Sequence, residues 1–159
     1  MKLAINRKLL RRVRRFLATH RDRFKYDTYG SIYQGEHAGE ECSPTQLMAD
    51  CGTIGCVAGW TCAIAGADPG PLADAGDLAE ELLRLDQTPV NLYLREFLFF
   101  ASCTNVMKDA AKRMGLSMDD FFNVGVSSSA STVDEAIRRI DWVLANSVHD
   151  GGQVHEINS

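Results

Sequence analysis

Apolar residues near the start of the chain recur at helical spacing. Leu9, Leu10, Val13, Phe16, Leu17, His20 and Phe24 fall on one side of a helix predicted over Leu3–Phe24. Arg7, Lys8, Arg11, Arg12, Arg14 and Arg15 cover the opposite face. The period is then lost. Gly30, Gly35, Gly39 and Pro44 punctuate Tyr26–Pro44, which predicts a long loop running on to residue 50. Ile54–Ala65 follows without a single charge. It is too short to cross a bilayer, which takes about 20 apolar residues, and reads as a helix over 53–66 buried on most sides. Gly55, Gly59 and Ala63 stand four apart, a ridge with almost no side chain against which a second helix can pack closely. Gly in a helix interior costs about 1 kcal/mol relative to Ala, which such packing offsets. Thr53 is the expected N-cap, with Asp50 as the alternative. Gly66 falls where a left-handed cap belongs, and Asp68-Pro69-Gly70-Pro71 stops the helix.

Downstream, Asp77 is placed to cap a short helix through Leu85, with Leu78, Leu82 and Leu85 on one side. Thr88-Pro89 reads as an N-cap followed by proline in the first turn. Val90–Ala101 is almost wholly apolar, so its period cannot separate buried helix from strand; its length and Pro89 favour helix. A further helix is expected over Asn105–Met114, stopped by Gly115, and a turn from Ser117 to Phe122. Thr132-Val133-Asp134-Glu135 is a capping box opening a helix to Asn146, with Val133, Ile137, Ile140 and Leu144 inward. Ser147–Ser159 reads as a polar, frayed tail. The expectation is an all-α fold: one domain over 1–146, of about six helices around the 53–66 helix.

Composition adds two things. Hydrophobic content of 45% and charge of 24% over 159 residues fit one globular domain without a membrane span. The net charge of −4 is unevenly spread. Ten Lys/Arg stand against one acid up to Lys25, leaving seven basic and twenty acidic residues beyond it. The basic helix therefore suits an anionic partner, whether phosphates, anionic lipid or an acidic protein, or else the acids of its own chain. It also has the Arg-rich, acid-poor composition of a transit peptide.

Five cysteines, an odd number, fit a disulfide framework poorly; with no secretory signal they point to a reducing, cytoplasmic setting. The spacings among Cys42, Cys51, Cys56 and Cys62, with His37 nearby, lack the close ligand pairs of structural zinc, so neither metal nor cofactor is expected. Cys51, just before the predicted helix, is the one candidate nucleophile, because a helix N-terminus favours a thiolate. A small buried residue is the alternative. The loop supplies Tyr29, Tyr33 and His37 as candidate binding residues.

Cys51-Gly52-Thr53 with Cys56 and Ala58-Gly59-Trp60 resembles a motif of a family of small uncharacterised proteins from bacteria and their phages. Phe24–Tyr29, Met114–Ser117 with Phe121-Phe122, and Ala136-Ile137 with Ile140–Leu144 are similar to other segments of that family. The resemblance spans Phe24–Leu144 and is specific only over Cys51–Trp60. It implies a helical fold and carries no activity. Gln46 ahead of Asp50-Cys51-Gly52 is similar to the Gln…Asp-Cys-Gly of ubiquitin-like-protein proteases. Those enzymes also need an upstream His and Asp on a mixed fold. Gly-rich phosphate loops, dinucleotide fingerprints, zinc-protease motifs and the serine nucleophile elbow are absent from the sequence. The function expected is therefore non-enzymatic binding through the basic helix or the Tyr26–Pro44 loop. A cysteine hydrolase using Cys51 and a nucleic-acid binder using Arg7–Arg15 remain as alternatives.

Overall fold

The computed structural model describes residues 3–26, 29–32, 36–49, 53–70, 74–88, 90–100, 108–109, 111–112, 115 and 133–149. The described chain is all-α in character. Its regular elements are strand β1 (Leu3–Ile5), helix α1 (Arg7–Thr19), strand β2 (Ser31–Ile32), helix α2 (Pro44–Ala49), strand β3 (Thr53–Ile54) and helix α3 (Val57–Ala65). Helices α4 (Ala75–Leu82), α5 (Asn91–Phe99) and α6 (Val133–Ala145) and strand β4 (Ser147–His149) complete the order. Residues 108–109 and 111–112 are helical, and Gly115 has φ +67°, in keeping with a helix stopped there.

The first helix is shorter than its pattern predicts. Leu3 and Ile5 are buried while Ala4 is exposed, a period of two. Asn6 then starts α1, its Oδ1 accepting from Leu9 N at 3.1 Å. The same side chain donates from Nδ2 to Leu82 O at 3.0 Å, pinning the helix start to the end of α4. β1 pairs in parallel with β4, Leu3 opposite Ser147 and Ile5 opposite His149. Residues 147–149, expected to open a frayed tail, are thus held by the other end of the chain.

Helix α3 lies against α1, α2, α4 and α5, and every residue from Val57 to Ala63 is buried. It begins four residues later than expected, with Cys56 as N-cap, because Thr53-Ile54 pairs antiparallel with Ser31-Ile32. Gly66 closes it in the left-handed conformation, φ 70°, with its N–H donating to Ala63 O at 3.1 Å. The small-residue ridge does meet a backbone, but not a helix. A Cβ on Gly59 would overlap the Tyr29 carbonyl, and one on Gly55 would come within 3.0 Å of the same oxygen. The loop, not a helical neighbour, fills the groove.

Further boundaries differ. α2 lies inside the stretch expected to be loop; Ser43 before Pro44 is the start signal, its Oγ accepting from Gln46 N at 3.3 Å. α4 is capped by Asp74 rather than Asp77, Oδ1 accepting from Gly76 N at 2.6 Å. α5 settles the helix-or-strand ambiguity as helix, with Leu94, Phe97, Leu98 and Phe99 buried. Thr88 is not its cap: its hydroxyl donates to Leu85 O at 2.8 Å. α6 packs on α1 and α5, burying Ala136, Ile137, Ile140 and Val143.

Candidate functional site

α1 buries Leu9, Leu10, Val13 and Leu17, with Phe16 half-buried over the ring of Trp60 at 4.3 Å. That docking sorts its cations into two sets. Arg14 makes a two-pronged ion pair with Asp141 of α6, Nε to Oδ1 at 2.5 Å and Nη2 to Oδ2 at 3.0 Å. The hydrogen bonds to Asp141 raise its pKa further, against the opposing effect of desolvation. Arg21, just past the helix, pairs with Asp134 at the start of α6. Arg7 is half-buried and its Nη2 donates to Leu144 O at 3.4 Å. These three tie the basic segment to the domain.

Lys8, Arg11, Arg12 and Arg15 form the second set, and all four are exposed. At 3.6 residues per turn they share an arc of about 100°, a row about 10 Å long at 1.5 Å per residue. Arg12 Nη2 donates to Ile64 O, in the last turn of α3, at 3.1 Å. Arg11 and Arg15 have no acidic partner among the described residues.

The loop candidates are not gathered onto this face. The Tyr29 phenol hydrogen-bonds Asp74, near Arg95, and its pKa is pushed up to about 12, first by burial and then by that bond. Its backbone lies on Gly59, and its hydroxyl, Arg95 Nη2 and Asp74 Oδ1 converge over Gly76, where a Cβ would crowd all three. His37 is exposed and faces Glu40, Nδ1 to Oε1 at 3.2 Å. Tyr33 and Cys51 lie outside the described residues. The helix N-terminus expected just after Cys51 lies at Cys56, because α3 starts at Val57.

Cys56 is buried, and burial pushes its thiol up to about 11, while the backbone N–H groups of Gly59 and Ala58 pull it down. It is a thiol, not a thiolate, at neutral pH. Cys62 is raised to about 12, chiefly by burial, and its Sγ donates to Ala75 O at 3.4 Å. Cys56 and Cys62 are free thiols. Among the described residues no group of three or more His, Cys, Asp or Glu side chains is placed to hold a metal ion, and no helix is long and apolar enough to span a membrane.

Three buried or half-buried cations were not legible as site or scaffold in the sequence. Arg95 joins Asp77 and Glu80 and lies 3.9 Å from Asp74. Arg23 sits 4.8 Å over Trp60 and donates to Leu47 O and Thr53 O, while Trp60 Nε1 donates to Arg23 O at 2.8 Å. Arg139 is fully buried. The i, i+3 spacing of Asp77 and Glu80 was the only signal, and it names no partner. Comparison with protein-family models, curated proteins and solved structures finds no match to this chain.

Proposed function

We propose that the protein is a non-enzymatic binding protein that works through the outward face of α1. One observation carries this: Arg14 and Arg21 pair with acids of α6, whereas Lys8, Arg11, Arg12 and Arg15 all stand exposed along one arc, Arg11 and Arg15 without an acidic partner among the described residues. A net-acidic chain that keeps four adjacent cations on one arc holds a local positive potential of short range, about 8 Å at physiological ionic strength. The buried, protonated Cys56 and Cys62 support a scaffold role for the Cys56–Trp60 segment rather than catalysis. The buried thiols of Cys56 and Cys62, which form no disulfide, are in keeping with a cytoplasmic setting. The resemblance to the bacterial and phage family supplies no activity against this reading.

The test is retention on a sulfonate cation exchanger near neutral pH. A protein of net charge −4 should pass through unless a concentrated basic face engages. Retention of the parent, with earlier elution of Arg11→Gln/Arg15→Gln, is the expected result. Elution of both in the flow-through sinks the proposal.

A further inference from the structure

We infer that the partner of this row is an acidic protein helix rather than a nucleic acid, an inference that rests on the reading of α1 as the binding face. The row repeats at i, i+3 or i+4, and i+7, which spaces its charges about 5 Å apart along the helix axis. Carboxylates along one face of a second helix repeat at the same spacing. Guanidinium groups match carboxylates in a two-pronged geometry, as Arg14 and Asp141 already do in this fold.

What surrounds the row decides against a polyanion. Arg12 lies on the last turn of α3 and Arg7 on the last turn of α6, through Ile64 O and Leu144 O. Each helix C-terminus carries a partial charge of about −0.5. Asp141 and Asp134 stand along the α6 side, and exposed Asp22 lies beyond the end of the helix. The row is therefore a short positive strip: the acids on its α6 side are already paired with Arg14 and Arg21, and the two helix ends it touches carry partial negative charge. A duplex carries one negative charge per ~1.7 Å and runs past both ends of a strip about 10 Å long, beyond the cations of the row. A helix with a compact acidic face ends where the strip ends. No aromatic residue interleaves the row, and Phe16, the only aromatic residue of α1, is half-buried against Trp60, so base stacking adds nothing. The apolar stripe of α1 is committed to the core, which leaves a membrane only the charges to hold.

The experiment measures binding of four probes to the full chain across a salt series. The probes are an alanine-based helical peptide with glutamates along one face, its glutamine counterpart, charge-matched duplex and single-stranded oligonucleotides, and phosphatidylserine vesicles. The glutamate peptide should bind, weaken with salt, and lose about tenfold in affinity with Arg11→Gln/Arg15→Gln and more with Arg11→Glu/Arg15→Glu. The glutamine peptide should not bind. Both variants change only exposed side chains, and circular dichroism confirms their fold. Tighter binding of an oligonucleotide or of vesicles through the same arginines overturns the acidic helix but keeps α1 as the binding face. Self-association abolished by the same substitutions reassigns the row to the acids of a second copy and overturns the inference equally. Probe binding indifferent to Arg11 and Arg15 overturns both the inference and the reading beneath it.

Discussion

Among the described glycines, Gly59 has the least room for a side chain. Its α-carbon faces the carbonyl of Tyr29 so closely that even a methyl group cannot enter, and the obstacle is backbone, which cannot rotate aside. Gly59→Ala should therefore cost more than the helix propensity it gains, about 1–3 kcal/mol from overpacking against about 1 kcal/mol recovered. Chemical denaturation checks this; a midpoint at or above the parent's would show that the loop moves aside freely. Tyr29 offers a second test at the same contact. Its phenol is raised from 10.0 to about 12, because burial and the bond to Asp74 both favour the neutral form. The folded chain then keeps a proton that the unfolded chain has lost. The contribution to stability is complete below pH 10 and is lost as pH rises towards about 12. Ultraviolet titration should show one phenol ionising near pH 12, absent in Tyr29→Phe and shifted downward in Asp74→Asn. A parent curve that overlays that of Tyr29→Phe would remove the Asp74 bond from the account.

At the scale of elements, helix ends are joined to distant partners. Asn6 caps α1 and reaches Leu82 O at the end of α4. Arg139 of α6 donates to Phe97 O at 3.2 Å and Phe100 O at 2.7 Å, capping the C-terminus of α5 from another helix. Glu135 lies 3.8 Å from Arg139 one turn earlier, and its pKa is raised because desolvation outweighs the attraction. Arg139→Ala removes a fully buried cation from beneath two carbonyls and should cost about 3–5 kcal/mol. The exposed pair Arg14–Asp141 should contribute far less, about 0.2–1 kcal/mol in a double-mutant cycle. Equal losses at the two sites would contradict this ranking.

On the scale of the molecule, the two ends of the chain are built together. Leu3–Ile5 pairs with Ser147–His149, and α1 packs on both α3 and α6. Removing the first 22 residues would strip β4 of its partner and uncover α3 along the α1 side. The truncated chain should aggregate or lose cooperative melting. A soluble truncated domain that melts like the parent would instead make the basic segment a detachable arm.

Some of this was written in local pattern. The amphipathic stripe of α1, the left-handed cap at Gly66 and the uncharged run of α3 rest on short-range spacing, and spacing is legible in one dimension. The docking side of α1 and the outward position of Lys8, Arg11, Arg12 and Arg15 follow from the same period. The sequence could not tell which surface would fill the groove at Gly55 and Gly59. A small-residue ridge admits any close backbone, and only the tertiary path of the loop brought Tyr29 there. Nor could it assign counterions: twenty acids follow Lys25, and folding alone chose Asp141 for Arg14 and Asp134 for Arg21. The two-stranded pairings were hidden for the same reason. Strands of two or three residues carry too few positions for a period to show, and their partners lie 21 to 144 residues away. Local propensity acts within a few residues, whereas pairing across such separations is decided by how the helices pack.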